Sequence, residues 1–416
     1  MNRSWCRRPV LSLALMFVLA LAGCSSESPA GPATKPASPS ATETQATPPP
    51  APEPFPVRAF ADINADPVSE DRAAELQAVL EEMSEDADGA GMSATVLSPE
   101  GSWSGAIGTA DASGRKVGVR DQFAIASVTK TIVATQVMQL VEAGELGLDD
   151  PAADYLPADL DFDSNGATIR HLLSHYSGIP DWFDDEFKEK LATRPGRSWR
   201  LAEVLATIEE DRWPAGETFE YADTNYNLLG LIIEQVTGRP LVDVLRDGVL
   251  GIDRIPRLIY QPDEAPSEPI AMPYAEPVSA LEARGGTLPS LADSTSAGPA
   301  GALATDASSL AHWWQALCTG QLVSPESLTA MARDVETGER IDRYGDGHGL
   351  GLTNMTGSDA RSFGYGGYNL GYLAWTACLP ASGSVVVVLT NTTEVPEAWP
   401  RPLVAEVDCG EAGATP

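Results

Sequence analysis

A serine placed three residues before a lysine, at the start of an apolar helix, is the feature that most constrains how this chain folds. Small and apolar residues lead into Ser127, and Lys130 follows it. The apolar residues after them are spaced as on a buried helix face, namely Val133, Val137, Leu140 and Val141. The sequence therefore predicts a helix that begins at Ser127 and carries Lys130 one turn later on the same side.

The chemistry available at such a helix start suits acyl transfer. The first turn of a helix offers unpaired N–H groups and a partial positive charge, which stabilise a developing oxyanion. The ammonium of Lys130 can depress the pKa of the Ser127 hydroxyl or, once desolvated and neutral, accept its proton. Serine is also a preferred N-cap residue, so this pair alone is more typical of a plain helix start, and other motifs have to decide.

The charge of the chain excludes one broad class of partner. Its 416 residues include 27 basic and 59 acidic side chains, which give a formal net charge of −32. The acidic residues are spread along the chain without long blocks, as on a solvated surface. Because phosphate backbones bind basic faces, we expect no nucleic-acid partner.

The N-terminal region predicts export and a membrane anchor. Residues 1–23 combine three arginines with an apolar run and end in Leu-Ala-Gly before Cys24, which resembles a bacterial lipobox. Lipid on Cys24 would then anchor the chain to a bacterial membrane; an ordinary secretory signal followed by an incidental cysteine is the alternative. Residues 24–58 are rich in Pro, Ser, Ala and Thr and predict an extended tether, followed by a folded domain over 59–412.

The order of elements predicts an α+β fold. Strands are expected over 92–97 and 103–108, and a hairpin over 372–377 and 384–391, whose apolar second strand should be central. Helical patterns occupy the middle of the chain. We therefore expect one antiparallel sheet built from both chain ends, with flanking helices and a mainly helical lobe. Residues 263–300 predict a long loop region over the site.

The cysteines left after export predict one disulfide and one remaining thiol. These are Cys318, Cys378 and Cys409. A C-terminal helix that folds back along the last strand would bring Cys409 near the hairpin that follows Cys378. The favoured pairing is therefore Cys378–Cys409.

Metal-binding patterns are weak. Residues 161–166 imitate the start of a calcium loop, but Leu172 stands where a bidentate Glu is expected, so a surface turn is favoured. The four histidines have no metal-ligand spacing. We expect no metal and no organic cofactor.

Several segments, taken in order, resemble the motifs of the serine β-lactamase and penicillin-binding protein family. Ser127–Lys130 resembles its S-x-x-K motif, and residues 172–180, LLSHYSGIP, are similar to its LLSHTSGLP stretch. Tyr221-Ala-Asp223 stands in the place of Y-x-N, and residues 364–372 stand in the place of K-T-G or H-x-G followed by a strand. The similarity is greatest to the branch of class C β-lactamases, D-alanyl-D-alanine carboxypeptidases, D-aminopeptidases and related esterases.

This resemblance implies roles for particular residues. Ser127 would be the acylated nucleophile, and Lys130 and Tyr221 would share the general-base work. The backbone N–H groups of Ser127 and Tyr368 would form the oxyanion hole. The rest of the implied substrate-binding surface comprises Asp223, Tyr365, Gly366 and Gly367, and His175 would support the site through hydrogen bonds.

Two departures from the family pattern affect the expected specificity. Asp223 replaces an Asn, so a group that only accepts hydrogen bonds stands where an amide can donate. Tyr365 replaces a Lys or His that helps to bind a substrate carboxylate, and a phenol is neutral at pH 7. Arg284 and Arg361 are the candidates for the missing positive charge. Both departures weaken the case for an efficient β-lactamase.

The sequence thus predicts an extracytoplasmic, monomeric serine hydrolase that acts on a small molecule or peptide through an acyl-enzyme on Ser127. D-alanyl-D-alanine carboxypeptidase-like or esterase-like activity is favoured. The alternatives are a class C-type β-lactamase and a catalytically silent protein that binds wall peptide or a β-lactam.

Overall fold

The computed structural model describes residues 53–208, 212–253, 255, 257–274, 288–333, 345–355, 361–397 and 399–410. Residues 52–416 form one compact unit. The predicted signal peptide, Cys24 and Arg284 lie outside the described residues. Within the described part of the chain, no helix has the length and apolar character needed to span a membrane.

The strands form two antiparallel sheets. They are β1 Met92–Ser98, β2 Gly101–Ile107, β3 Phe123–Ala124, β4 Ile259–Tyr260, β5 Leu303–Thr305, β6 Gly345–His348, β7 Thr353–Met355, β8 Phe363–Asn369, β9 Tyr372–Leu379 and β10 Ser384–Thr390. The large sheet has the order β2-β1-β10-β9-β8-β7-β6, and the small one β3-β5-β4. The large sheet joins both chain ends, which confirms the predicted fold class, and the apolar strand β10 lies between β1 and β9.

Helices cover both faces of the large sheet and form the lobe beside it. They are α1 Glu70–Glu85, α2 Val128–Glu142, α3 Ile169–Leu173, α4 Asp185–Thr193, α5 Leu201–Leu205, α6 Asp223–Thr237, α7 Leu241–Asp247, α8 Leu291–Ala297, α9 Ala307–Cys318, α10 Pro325–Met331 and α11 Arg401–Gly410. Side chains of β10 alternate between two cores. Val387 packs with residues of α9 and α2, and Val388 packs with residues of α1 and α11. Each fully buried aliphatic side chain contributes about 1.5–3 kcal/mol, so burial on both faces fixes this strand at the centre of the fold.

Helix α2 is enclosed on nearly every side. It contacts α6 on one side and strands β8 and β9 on the other. Even its polar residues Lys130, Thr131 and Thr135 are buried. The helix that carries the predicted nucleophile is therefore a rigid central element between the sheet and the helical lobe.

The folded region begins earlier than predicted. Phe55, placed in the tether by its Pro-rich surroundings, is only 4% exposed, and its ring centroid lies 4.6 Å from that of Phe363. A 3-10 helix, Val57–Phe60, follows and buries Phe60. Two aromatic side chains at the end of the Pro-rich segment therefore attach it to the domain, and the predicted boundary at residue 58 is wrong by several residues.

The disulfide differs from the predicted one. Cys318 is bonded to Cys378, with 6.7 Å between their Cα atoms, so the predicted Cys378–Cys409 pairing is wrong. Cys318 is the last residue of α9, which packs on the sheet face toward which Cys378 points. Helix α11, which contains residue 409, packs in the core on the opposite face of the sheet.

The segment 263–300 is not simply a loop. It contains α8, which begins after Ser290, whose hydroxyl accepts a hydrogen bond from the N–H of Asp293. Residues 275–287 lie outside the described residues. The calcium-like segment contains turn residues with positive φ at Asn165 and Gly166. Among the residues that the structure describes, no three His, Cys, Asp or Glu side chains are grouped to hold a metal ion.

Candidate active site

Ser127 occupies the N-cap position of α2, but its side chain does not cap the helix. Its Oγ instead accepts hydrogen bonds from Tyr221 Oη at 2.7 Å and from Lys130 Nζ at 3.0 Å. Ala126, just before it, has a φ of +46°, a strained conformation for a residue with a side chain. The turn at Ala126 and the start of α2 thus present a serine hydroxyl that takes no part in holding the helix.

Lys130 is fully buried and connects three groups. Its Nζ lies 3.0 Å from Ser127 Oγ, 2.9 Å from the carbonyl oxygen of Ala300 and 2.6 Å from Asp223 Oδ1. Burial alone would lower the pKa of Lys130, but the charge of Asp223 and the contacts with Tyr221 outweigh it and raise the pKa to about 12. Lys130 is therefore an ammonium at neutral pH, paired with Asp223.

Tyr221 lies two residues before α6 and is held by His175 of the LLSHYSGIP stretch. The ring of His175 stacks on that of Tyr221, with 4.4 Å between centroids, and His175 Nδ1 accepts a hydrogen bond from the N–H of Ala222. Burial raises the pKa of Tyr221 to about 12, although the charge of Lys130 opposes the rise. The phenol is therefore neutral at rest and aimed at Ser127.

His175 supports this geometry and is not itself a base. Burial, followed by the neighbouring His348 and Lys130, holds the pKa of His175 well below its usual range. Asn225 Nδ2 lies 3.1 Å from its Nδ1. The supporting position that the resemblance implied for His175 agrees with these contacts.

Strand β8 supplies the opposite wall of the site. Gly366 and Tyr368 line the cavity that contains Ser127, and Tyr368 is 57% exposed. A Cβ on Gly367 would lie 2.2 Å from the carbonyl oxygen of Ile125, so this close approach of β8 requires glycine. In the β8–β9 register, Asn369 pairs with Tyr372 across the turn, and strand alternation then directs the N–H of Tyr368 away from β9.

Tyr365 does not lie where the motif comparison placed it. It is only 2% exposed and is absent from the cavity lining. Its Oη lies 3.1 Å from Nε2 of His348, whose pKa is lowered by burial to about 4. The predicted substrate contact of Tyr365 is therefore not found, because its side chain extends into the buried cluster behind Tyr221.

Arg361, one of the two proposed substitute cations, does not line the cavity. Arg361 donates a hydrogen bond to the carbonyl oxygen of Ala332 and lies 5.0 Å over the ring of Phe363. Among the described residues that line the cavity, there is no Lys or Arg. The cavity therefore differs from a site built to bind a substrate carboxylate.

The charged side chains that line the cavity are carboxyl groups. Its volume is about 430 Å³, and Asp181, Asp223 and Asp293 line it beside Ser127. Burial and then the charge of Asp223 raise the pKa of Asp181 to about 7. Burial also raises the pKa of Asp293 to about 7; a hydrogen bond from Asn369 opposes the rise and the charge of Asp223 adds to it.

Asp181 and Asp293 line the cavity although the sequence did not indicate either as a site residue. Asp181 directly follows the LLSHYSGIP stretch, so its position next to a family motif was the available signal. Asp293 follows the N-cap Ser290 by three residues, a spacing typical of a helix start. The spacing did not indicate a helix because the composition of the surrounding segment predicted a loop.

Comparison with known proteins agrees with this geometry. The model of the Beta-lactamase family matches residues 76–407. The chain belongs to this family. Ser127 and Tyr221 line one cavity, with Lys130 buried behind Ser127, and this arrangement is consistent with a serine hydrolase.

The relatives of this Beta-lactamase family member include a penicillin-binding protein, an esterase and an amidohydrolase. Penicillin-binding protein 4 of Amycolatopsis lactamdurans is 31% identical over 290 residues, which cover 65% of this chain and 72% of that protein. Esterase EstB of Burkholderia gladioli is 28% identical over 304 residues, covering 65% and 77% respectively. The crystal structure of a D-stereospecific amidohydrolase from Streptomyces sp. has a TM-score of 0.68 and 24% identity, and the match covers 81% of this chain and 99% of that one. At that identity, the structural match supports the fold alone.

Proposed function

We propose that this protein hydrolyses esters or amides through an acyl-enzyme on Ser127, outside the cytoplasm. The observation that carries the proposal is the pair of hydrogen bonds on Ser127 Oγ, from Tyr221 Oη and Lys130 Nζ. A hydroxyl at a helix start, freed from capping and held by two proton-transfer groups, is the arrangement that nucleophilic catalysis needs.

The proton of Ser127 has a route to a carboxylate. Lys130 Nζ contacts both Ser127 Oγ and Asp223 Oδ1. As Oγ attacks the substrate carbonyl, Lys130 passes one proton to Asp223 and receives the proton of Ser127. Lys130 thus relays the proton from Ser127 to Asp223, which is the final proton acceptor, although the pKa of Lys130 itself is raised.

The leaving group then receives its proton through Tyr221. The proton on Asp223 returns to Lys130, Lys130 gives one to Tyr221, and Tyr221 gives its own to the departing nitrogen or oxygen. The carbonyl oxygen is stabilised by the N–H groups of Ser127 and Tyr368 and by the start of α2. Water then attacks the acyl-enzyme, its proton follows the same route, and Ser127 recovers its hydroxyl.

The cavity favours esters and amides over carboxylate-bearing wall peptides and β-lactams. The Lys or His that family members carry in the third motif has no counterpart in this cavity, because Tyr365, which takes that position, is buried away from it. Carboxyl groups on the cavity wall repel a terminal carboxylate. The named esterase relative supports the same preference.

The location of the protein is part of the proposal. Its support is the apolar run that ends at Cys24 and the Pro-rich segment after it. Metabolic labelling with a palmitate analogue should mark the wild-type chain in a bacterial host and leave a Cys24→Ala chain unmarked. Equal labelling of both would contradict the lipid anchor.

A panel of three substrates tests the activity. It comprises 4-nitrophenyl butyrate, a D-alanyl-D-alanine peptide and benzylpenicillin, each with the wild type and with Ser127→Ala. We expect the ester to be turned over only by the wild type. Preferred turnover of the peptide or of penicillin would favour the carboxypeptidase or β-lactamase alternatives, and no turnover of any substrate would favour the silent binder.

A further inference from the structure

The negative charge of the cavity is not balanced by the protein. Lys130 is paired with Asp223 and is fully buried. In the described parts of the chain, neither Asp181 nor Asp293 forms an ion pair with a Lys or Arg side chain. A buried carboxylate without a cation is costly, and the raised pKa values of Asp181 and Asp293 reflect that cost; a cation that enters the cavity would remove it.

Both of these carboxyl groups are held in fixed positions by neighbouring donors. Asp181 Oδ1 accepts from the N–H of Asp223 at 3.0 Å and from the N–H of Phe183 at 3.3 Å. Asp293 Oδ2 accepts from Asn369 Nδ2 at 2.7 Å. Because the protein orients these acceptors but does not neutralise them, they are preorganised for a donor that comes with the substrate.

Asn369 provides an independent sign that a donor belongs here. It is only 7% exposed, lines the same cavity, and its Nδ2 is committed to Asp293. Its Oδ1 has no hydrogen-bond partner in the described structure. A buried amide oxygen left open is costly, and a bound N–H group would satisfy it.

The lining of the cavity suits an organic cation of modest size. In the described residues, no cluster of His, Cys, Asp or Glu is arranged to hold a metal ion. Trp182 and Phe183 line the cavity next to Asp181, and Tyr368 lines its other side. Aromatic walls suit the apolar part of a substrate and also attract a nearby ammonium.

We propose that Asp181, Asp293 and Asn369 form a subsite for the ammonium group of the substrate. The substrate class is then an aminoacyl ester, amide or peptide with a free amine, and the carboxyl groups act as specificity-determining residues. This proposal rests on the proposed function, since Ser127 must react with the acyl group that the subsite positions.

Paired substrates test the subsite. The wild type is compared on an aminoacyl 4-nitroanilide with a free amine and on its N-acetyl derivative, at pH 8 and in both stereochemical forms. We expect kcat/KM to be at least tenfold higher for the free amine. The ratio of the two kcat/KM values should fall about tenfold or more in Asp181→Asn and in Asp293→Asn, because a charge-assisted hydrogen bond is lost.

A matched control separates the subsite from general electrostatics. Asp185→Asn removes the same charge from a fully exposed side chain at the start of α4, and it should leave the ratio unchanged. Equal rates for the free amine and the N-acetyl compound would overturn the subsite, as would a fall in the ratio for Asp185→Asn equal to that for Asp293→Asn.

A binding measurement keeps the proposal testable whether or not the hydrolase activity is found. Calorimetry with Ser127→Ala compares phenethylamine with 2-phenylethanol, which has nearly the same shape and no charge. We expect the amine to bind at least tenfold more tightly, and that preference to be lost when Asp293→Asn is added. Equal binding would overturn the subsite. Ser127-dependent hydrolysis of a neutral ester without an amine preference would leave the proposed function intact and remove only this inference.

Discussion

At the scale of single residues, Asp223 most distinguishes this site from the pattern of its family. The resemblance assigned Asp223 to the substrate-binding surface, and its carboxylate lines the cavity while also pairing with Lys130 at 2.6 Å. Ser127, Lys130 and Tyr221 could be proposed from the sequence because each belongs to a short motif of consecutive residues. The sequence did not identify the partner of Lys130, because that contact depends on how α6 packs against α2.

Asp223→Asn should change the pH dependence of the reaction. Burial lowers the pKa of Lys130, and the charge of Asp223 opposes that effect. Without the carboxylate, the pKa of Lys130 should fall from about 12 toward or below its usual value. We expect the pH profile of kcat/KM for a neutral ester to gain an inflection at lower pH than in the wild type. An unchanged profile would contradict the proton route through Asp223, and Asp185→Asn serves as the control for a simple loss of charge.

Asp293→Asn should make the protein more stable at alkaline pH. The folded-state pKa of Asp293 is raised to about 7 by burial, so its contribution to stability is complete below its unfolded pKa and is lost as pH rises through about 7. Between pH 5 and pH 8 the free energy of unfolding of the wild type should fall by about 1–3 kcal/mol more than that of the variant. Denaturant unfolding at both pH values measures this difference.

A stability difference between the two proteins that does not depend on pH would contradict a raised pKa at Asp293. The expected gain in stability also has a functional counterpart, because the same substitution should weaken the preference for a free amine. A buried charge that lowers stability and increases specificity is typical of binding sites.

At the scale of elements, short segments were harder to predict than long ones. Helix α2 and strand β10 follow from their apolar patterns. Helix α8 was missed because it has only seven residues, of which Leu291 alone is large and apolar, and it lies in a Pro- and Ser-rich segment. The burial of Tyr365 was missed because the direction of a side chain on β8 depends on the register of the sheet and on the His348 cluster behind it.

The disulfide joins two elements that pack against each other, α9 and β9. Cys318→Ala should lower the free energy of unfolding by about 2–4 kcal/mol, because the bond restricts the unfolded chain over a separation of 60 residues. Cys409→Ala is the matched control and should have a far smaller effect. A larger loss in Cys409→Ala, or a peptide linking 378 to 409 in non-reducing mass spectrometry, would contradict the assignment.

At the scale of the whole molecule, the site forms where the two ends of the chain and its middle meet. Strand β8 comes from the C-terminal part of the sheet, α2 follows its N-terminal strands, and α6 and α8 belong to the helical lobe. The sequence predicted this architecture because strands cluster at both ends. It did not predict the charge of the cavity, since Asp181 and Asp293 are far apart in the chain and converge only in the fold.

Phe55 tests where the domain begins. Phe55→Ala should destabilise the protein by about 3–5 kcal/mol, because it removes a buried ring that packs against Phe363. A chain that starts at residue 53 should likewise unfold at a higher temperature than one that starts at residue 59. Equal unfolding temperatures for these two chains would restore the boundary predicted at residue 58.

Trapping the acyl-enzyme tests the central claim most directly. The protein is mixed with 4-nitrophenyl acetate, quenched with acid within the first turnovers, digested and analysed by peptide mass. The account predicts an added acetyl group on the peptide that contains Ser127, and neither the adduct nor ester turnover in Ser127→Ala. Ester hydrolysis that persists in Ser127→Ala, or acetyl found only on another residue, would contradict it.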